Sequence, residues 1–280
     1  MQRYSITVHD VLEVEQLLSS INWLNIDNDT KDMFFERIRN TIKYLNREER
    51  ELFYSLLENF INISTSMFDS KLRTLVTALT SMLTGIDNIF IVPVVDEESS
   101  LSFDLKSGQY IAFLLKSLIN ENKQFKNKKI NFISSPAGLE NHKNRMNSLI
   151  VFCDDFIGTG KQFNKTMHFY NNYSLITDKC VLVTLAILRK GYDAITAKGY
   201  PVFSDMICEK GISSNPNILD KKKAIHVMTQ IEKGLKVNRK FLFGYKKSEG
   251  LIAIRQRSPN NTFPLFWWNR SPLDEAVFQR

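Results

Sequence analysis

The stretch Ser148–Phe163, SLIVFCDDFIGTGKQF, sets two adjacent carboxylates behind an apolar run and follows them with a glycine-rich turn. Leu149–Cys153 is short, apolar and non-periodic, which predicts a strand buried on both faces. Asp154 and Asp155 then fall at its C-terminal end, where open α/β sheets bind ligands. Gly158, Thr159 and Gly160 turn the chain, and Lys161 and Gln162 open a predicted helix whose free N–H groups and dipole suit an anion. Ionised carboxylates are acceptor-only partners for a diol, whereas N–H groups and hydroxyls suit a phosphate. The stretch therefore points to a ribose 5-phosphate, with Asp154 and Asp155 on the sugar and Gly158, Thr159, Gly160, Lys161 and Gln162 on the phosphate.

Strands alternate with helices on both sides of this stretch. NIFIVPVV, KINFIS, CVLVTLAIL and PVFSDMIC read as strands, with helices over 105–119, from Lys161 to about Tyr173, and from the end of CVLVTLAIL to Lys198. This alternation predicts an α/β fold, a doubly wound and mainly parallel sheet. After a helix containing KKKAIHVMTQI, the segments KFLFGY and GLIAIR read as a final pair of strands. The N-terminal third reads as four helices. The first is opened by a capping box of Asp10 and Glu13, the second is capped by Thr30, the third runs through Ile61, and the last runs from near Asp69 to Gly85. The expected organisation is a helical N-terminal extension over 1–86 and an α/β domain over 87–280.

The 280 residues are 43% hydrophobic and 24% charged, as in an ordinary globular protein. No apolar run reaches the roughly 18 residues of a membrane span, and the N-terminus lacks a signal peptide's apolar stretch, so a cytoplasmic protein is expected. Cys153, Cys180 and Cys208 are odd in number and far apart, which predicts reduced core thiols rather than disulfides or a zinc site. The net charge of +7 is uneven: residues 1–70 hold 7 basic and 12 acidic side chains, and the remainder 30 and 18. A basic C-terminal part is compatible with phosphorylated ligands and with nucleic acid, the latter through Lys221–Lys223, Lys236, Arg239, Lys240, Lys246 and Lys247. Solvated lysines account for the same pattern.

Two familiar phosphate motifs are absent. A Walker A loop needs Gly where Asp155 stands and Ser or Thr where Gln162 stands. A dinucleotide fingerprint needs Gly at Phe163. The stretch instead resembles the phosphoribosyl-diphosphate motif of type I phosphoribosyltransferases: an apolar strand, two acids, three residues, then Thr-Gly. The match falls on Asp154, Asp155, Thr159 and Gly160, with Gln162 in place of the usual final Thr. The resemblance implies that the paired acids hold the ribose hydroxyls, with Mg²⁺ as a candidate cofactor at Asp154 and Asp155, and that the turn wraps the 5-phosphate. Lys143 or Arg145, on the preceding loop, would close over the leaving group.

Where that family has a small, non-acidic diphosphate loop, this chain has Asp96, Glu97 and Glu98. A carboxylate about 6 Å from a phosphate charge costs roughly 3 kcal/mol at an effective dielectric near 20. Either Mg²⁺ bridges the two, or the ligand lacks a diphosphate there, or these acids only cap the next helix. The C-terminal RQRSPNNTFPLFWWN, with the helical extension, resembles a divergent branch of phosphoribosyltransferase-like proteins from bacterial conflict and anti-phage systems, including some retrons. That resemblance implies a defence effector or toxin, partnered by a reverse transcriptase or another defence-complex subunit. In it Asn260 and Asn261 either meet a base or sugar edge or simply build a turn. The leading expectation is transfer or hydrolysis at the anomeric carbon of a phosphorylated ribose. The alternative is a non-catalytic nucleotide-sensing or nucleic-acid-binding subunit.

Overall fold

The apolar run before Asp154 is the middle of a sheet. A computed structural model describes residues 3–21, 28–95, 107–134, 138, 147–171, 179–269 and 275–280. Its five-stranded sheet comprises β2 (Asn88–Pro93), β3 (Lys129–Phe132), β4 (Ser148–Ile157), β5 (Lys179–Leu188) and β6 (Val202–Cys208). All neighbours are parallel, in the order β3-β2-β4-β5-β6. Leu149–Cys153 on β4 and Val181–Val183 on β5 are fully buried. Helices on both faces demand apolar side chains at every position of a central strand, so these runs show no alternation.

The chain folds as two compact units, residues 66–208 and residues 1–65 together with 209–280. The first holds the sheet, α4 (Thr65–Leu79, whose first residue is the last of the other unit), α5 (Ser107–Glu121), α6 (Lys161–Asn171) and α7 (Arg189–Thr196). Phe163, Met167 and Tyr170 of α6 and Ile195 of α7 pack with Phe90, Val92, Ile150, Phe152 and Leu182 of the strands. The sequence predicts an extension ending at residue 86, yet α4 groups with the sheet. It buries Phe68, Leu72, Leu75, Val76 and Leu79; Phe68 meets Tyr110 of α5 at 6.3 Å, and Lys71 pairs with Asp205 of β6 at 2.5 Å.

The second unit joins the two ends of the chain. It contains α1 (Val8–Ser20), α2 (Asn28–Ile42), α3 (Arg47–Glu58), β1 (Ile61–Ile63), α8 (Lys221–Gly234) and β7 (Ile252–Ile254). The expected final strand pair does not form. Segment 239–241 is a 3-10 turn capped by Asn238, and Phe243 has φ +58°, which no strand residue adopts. The Phe243 N–H donates to the Glu232 carboxylate at 2.9 and 3.0 Å instead of to a ladder. β7 pairs in parallel with β1, Ile61 opposite Ile252, so Ile61 belongs to a strand rather than to the third helix. The first cap also differs from its reading: Thr7 caps α1, exchanging bonds with Asp10 at 3.2 and 2.7 Å. Thr30 lies inside the first turn of α2. Aromatic rings bind the unit's core, with Phe60 stacked on Phe278 at 4.5 Å and Phe53 on Phe266 at 5.6 Å.

Candidate functional site

The strand order reverses between β2 and β4. From β2 the chain passes through α5 to β3 on one side, while β4 leads through α6 to β5 and on to β6 on the other. Connections diverging to opposite faces leave a crevice at the C-terminal strand ends, the usual ligand position in such sheets. β4 runs past the predicted Leu149–Cys153 to Ile157, so Asp154 and Asp155 lie inside its last four residues, still paired with β5 but beyond the end of β2, beside Val94 and Val95.

Alternation breaks at this level. The residues joining the α6–α7 core cluster are Phe152 then Ile157 on β4, and Leu182 then Ile187 on β5, an odd spacing in each case. Thr184, in register with Asp154, and Ser204, in register with Thr184, each donate a hydroxyl to the carbonyl two residues on, at 3.1 and 2.9 Å. Such local bonding competes with strict pleating.

Asp154 is 5% exposed. Its Oδ1 accepts from the Ser107 hydroxyl at 3.0 Å and from the Asp155 N–H at 2.9 Å. Burial, with the adjacent Asp155 charge adding to it, pushes the Asp154 carboxyl well above the usual range, and these bonds only partly offset it. Ser107 and Gly108 open α5, and a Cβ on Gly108 would lie 3.4 Å from that Oδ1. Asp155 is half-buried. A pair of carboxylates suits Mg²⁺, which keeps waters and takes further ligands from a substrate's phosphates. Among the described residues no cluster of three or more His, Cys, Asp or Glu side chains surrounds a common point.

The turn after β4 is held from behind. Gly160 has φ +72°, and its carbonyl accepts the Asn164 N–H at 2.9 Å to start α6. Gly191 in the first turn of α7 lies directly against it: a Cβ there would sit 2.4 Å from the Gly158 carbonyl oxygen and 3.3 Å from the Gly160 nitrogen. The flanking Arg189 and Lys190 are exposed. Gly191 is not among the residues predicted from sequence; its signal is a glycine in the first turn of a helix that follows a buried strand. Gly158 and Thr159 are half-exposed and Lys161 is exposed. The Gln162 amide donates to the Val94 carbonyl at 3.0 Å, and Thr166 donates to the Val95 carbonyl at 2.8 Å, tying α6 to the end of β2.

Asn260 and Asn261 belong to the other unit. The Asn260 carbonyl accepts from the Tyr245 N–H at 2.7 Å. The buried Asn261 side chain donates to Ser248 Oγ at 3.2 Å, and its carbonyl accepts from the Gly250 N–H at 2.9 Å. Both asparagines thus take part in the local turn. Asp96, Glu97, Glu98, Lys143 and Arg145 lie outside the described residues.

Residues 42–280 match the model of the PRTase-CE family. No curated protein matches the chain. Similar solved structures include hypoxanthine-guanine phosphoribosyltransferase from Schistosoma mansoni in complex with IMP, at 15% identity over 52% of this chain and 64% of that one, with a TM-score of 0.36. Orotate phosphoribosyltransferase from Aeropyrum pernix matches at 15% identity over 51% and 71%, TM-score 0.33. Purine phosphoribosyltransferase from Pyrococcus horikoshii matches at 10% identity over 71% and 95%, TM-score 0.35. The chain spans about two-thirds or less of the length of the Schistosoma enzyme.

Proposed function

We propose, for a chain that belongs to the PRTase-CE family, that the end of β4 binds a ribose 5-phosphate moiety and promotes transfer or hydrolysis at its anomeric carbon. The observation that carries this reading is one juxtaposition: two carboxylates and a glycine turn at the point where the strand order reverses. Asp154 and Asp155 orient the ribose hydroxyls. The free N–H groups of the turn and of Lys161 and Gln162, with the Thr159 hydroxyl and the Lys161 ammonium, take the phosphate. As the glycosidic bond breaks, positive charge grows on the sugar ring, and carboxylates placed beforehand stabilise it more than they stabilise the ground state. That growing charge also favours ionisation of the buried Asp154, which burial otherwise opposes. Mg²⁺ held by Asp154 and Asp155 together with ligand oxygens would neutralise a leaving diphosphate.

The biological setting in this reading is a cytoplasmic effector of an anti-phage system, toxic when released, acting with a reverse transcriptase or other complex subunits. The test is mass-spectrometric turnover of phosphoribosyl diphosphate and of nucleotides by the wild type and by Asp154→Asn/Asp155→Asn. Each lost charged hydrogen bond costs about 1.5–3 kcal/mol, or roughly ten- to a hundredfold. The double variant therefore loses turnover and cellular toxicity while its melting temperature stays near wild type. A folded double variant with full activity would falsify the assignment.

A second reading, a nucleic-acid-binding subunit, is favoured by one observation. Exposed cations in the 236–247 segment lie beside half-buried aromatic rings, as phosphate and base recognition together require.

A further inference from the structure

The sequence offers two lysine-rich stretches for such binding, and the fold treats them differently. Lys221 donates to the Ser213 carbonyl at 2.8 Å and Lys223 pairs with Glu48 at 2.7 Å, so two of the three lysines of the first stretch are engaged within their own unit. Segment 233–248 contains six cations (Lys233, Lys236, Arg239, Lys240, Lys246 and Lys247) and no acidic residue. All six are exposed. The acids on either side, Glu232 and Glu249, are buried and face inward: Glu232 accepts the Phe243 N–H, and Glu249 accepts from Ser213 and Lys210. No acid of the segment itself offsets the positive charge.

Aromatic rings are interleaved with these cations. Lys240 lies 5.6 Å from the Phe241 ring and 5.8 Å from that of Tyr245, while Lys246 lies 5.9 Å from Tyr245. Arg280 adds a further cation over Phe241 at 5.0 Å and over Trp267 at 4.8 Å. Phe241 and Tyr245 are half-buried.

The backbone is strained to hold this arrangement. Lys236, Phe243, Lys246, Lys247 and Glu249 all have positive φ. Left-handed non-glycine residues are costly and persist only where their surroundings over-determine them. Here the surroundings are explicit: Glu232 on the Phe243 N–H, Tyr245 N–H on the Asn260 carbonyl, and Ser248 Oγ on the Asn261 carbonyl. The cations and rings are therefore presented in a fixed pattern rather than on a loose tail.

We infer that residues 236–247, with Arg280, form a binding surface for single-stranded nucleic acid. Phosphates meet the lysines and arginines, and unpaired bases stack on Tyr245 and Phe241. Single strands fit better than duplex, because a stacked duplex hides the base faces these rings would meet. The inference rests on the nucleic-acid reading above and is independent of the ribose-phosphate site.

Fluorescence anisotropy of the full chain with a labelled oligothymidylate of about 20 nucleotides tests it, with log affinity falling against log salt by about 0.7 per phosphate engaged and three or more engaged. Lys246→Glu/Lys247→Glu should weaken binding at least about tenfold and flatten that slope. Tyr245→Leu, which keeps the charges, should weaken it about fivefold or more without changing the slope. Lys221→Glu/Lys222→Glu should leave it nearly unchanged, and the melting temperature of each variant confirms folding. Loss in the 221/222 variant but not in the 246/247 variant overturns the location while sparing the nucleic-acid reading. No binding at about 50 mM salt overturns both. Heparin binding as tightly as the oligonucleotide, with Tyr245→Leu silent, overturns the stacking role and with it the proposal.

Discussion

The two units bury acids to opposite ends. In the sheet unit, Asp154 accepts one hydroxyl and one backbone N–H, and its carboxyl is pushed up by burial. In the unit formed by the chain ends, Glu249 accepts from Ile212 and Ser213 N–H groups, the Ser213 hydroxyl and Lys210, and those bonds hold its carboxyl below the usual range despite burial. Asp10 is held low in the same way by Thr7 and Arg50. A carboxylate saturated by its own protein has little left for a ligand. Asp154 takes its two donors on a single oxygen and is less saturated than Glu249. Glu232 shows that a raised carboxyl is not sufficient: it too is pushed up, to about 8, but it is fully buried.

Two glycines sharpen this contrast most strongly. Gly244 has φ +75°, and a Cβ there would lie 2.1 Å from the Asn261 carbonyl oxygen. Gly244→Ala adds backbone strain to overpacking of about 1–3 kcal/mol, so a large fall in melting temperature is expected in thermal denaturation. Gly191→Ala forces a comparable clash against the Gly158 carbonyl, but at the turn after β4 that the proposed function assigns to the phosphate. Its expected signature is loss of phosphoribosyl-diphosphate binding by calorimetry with a smaller loss of stability. If both variants lost only stability, the distinction between a structural unit and a site unit would fail.

Next in size are the pH effects, whose signs oppose each other. Glu249 has a depressed folded pKa, so its contribution is present above the unfolded value near 4.5 and lost as pH falls through the folded one. Glu232 has a raised one, so the folded state loses stability as pH climbs from about 4.5 to about 8, by at most about 1.4 kcal/mol per unit. Glu232→Gln should therefore raise the melting temperature at pH above 8 relative to wild type and flatten the alkaline limb. Glu249→Gln should instead lower stability at neutral pH by about 1–3 kcal/mol and flatten the acid limb. Parallel profiles for both variants would count against these opposite roles.

The smallest effect belongs to Gln162. Its amide bond to the Val94 carbonyl is one neutral hydrogen bond, and Gln162→Thr should cost about 1 kcal/mol of stability. Ligand affinity should change less than for any change at Asp154 or Asp155. A loss as large as theirs would move Gln162 from the scaffold to the ligand.

The charge asymmetry read along the sequence takes on a structural meaning in the same comparison. Residues 1–65 hold 7 basic and 11 acidic side chains, and residues 209–280 hold 14 and 6; both segments fold into one unit. Lys223–Glu48 and Arg37–Glu275 are contacts between them, at 2.7 Å each. Lys223–Glu48 thus matches one cation of the basic segment, Arg37–Glu275 takes up one of its acids, and segment 233–248 has no acid of its own.

The sequence by itself determined the sheet and the place of Asp154, Asp155 and the Gly158–Gly160 turn. Those features are local: a buried strand writes its burial into five or six consecutive residues, and a turn is encoded by its own glycines. Only the tertiary structure could decide the other unit. The β1–β7 ladder joins residues 61–63 to 252–254, and Phe243 is denied a strand by a carboxylate eleven positions away on α8. The support of the Gly158–Gly160 turn by Gly191 is equally non-local, since a glycine's value there depends on the carbonyl that approaches it. Local periodicity records whether a residue is buried; it does not record which distant partner buries it, and that partner decided the second unit and the rear wall of the site.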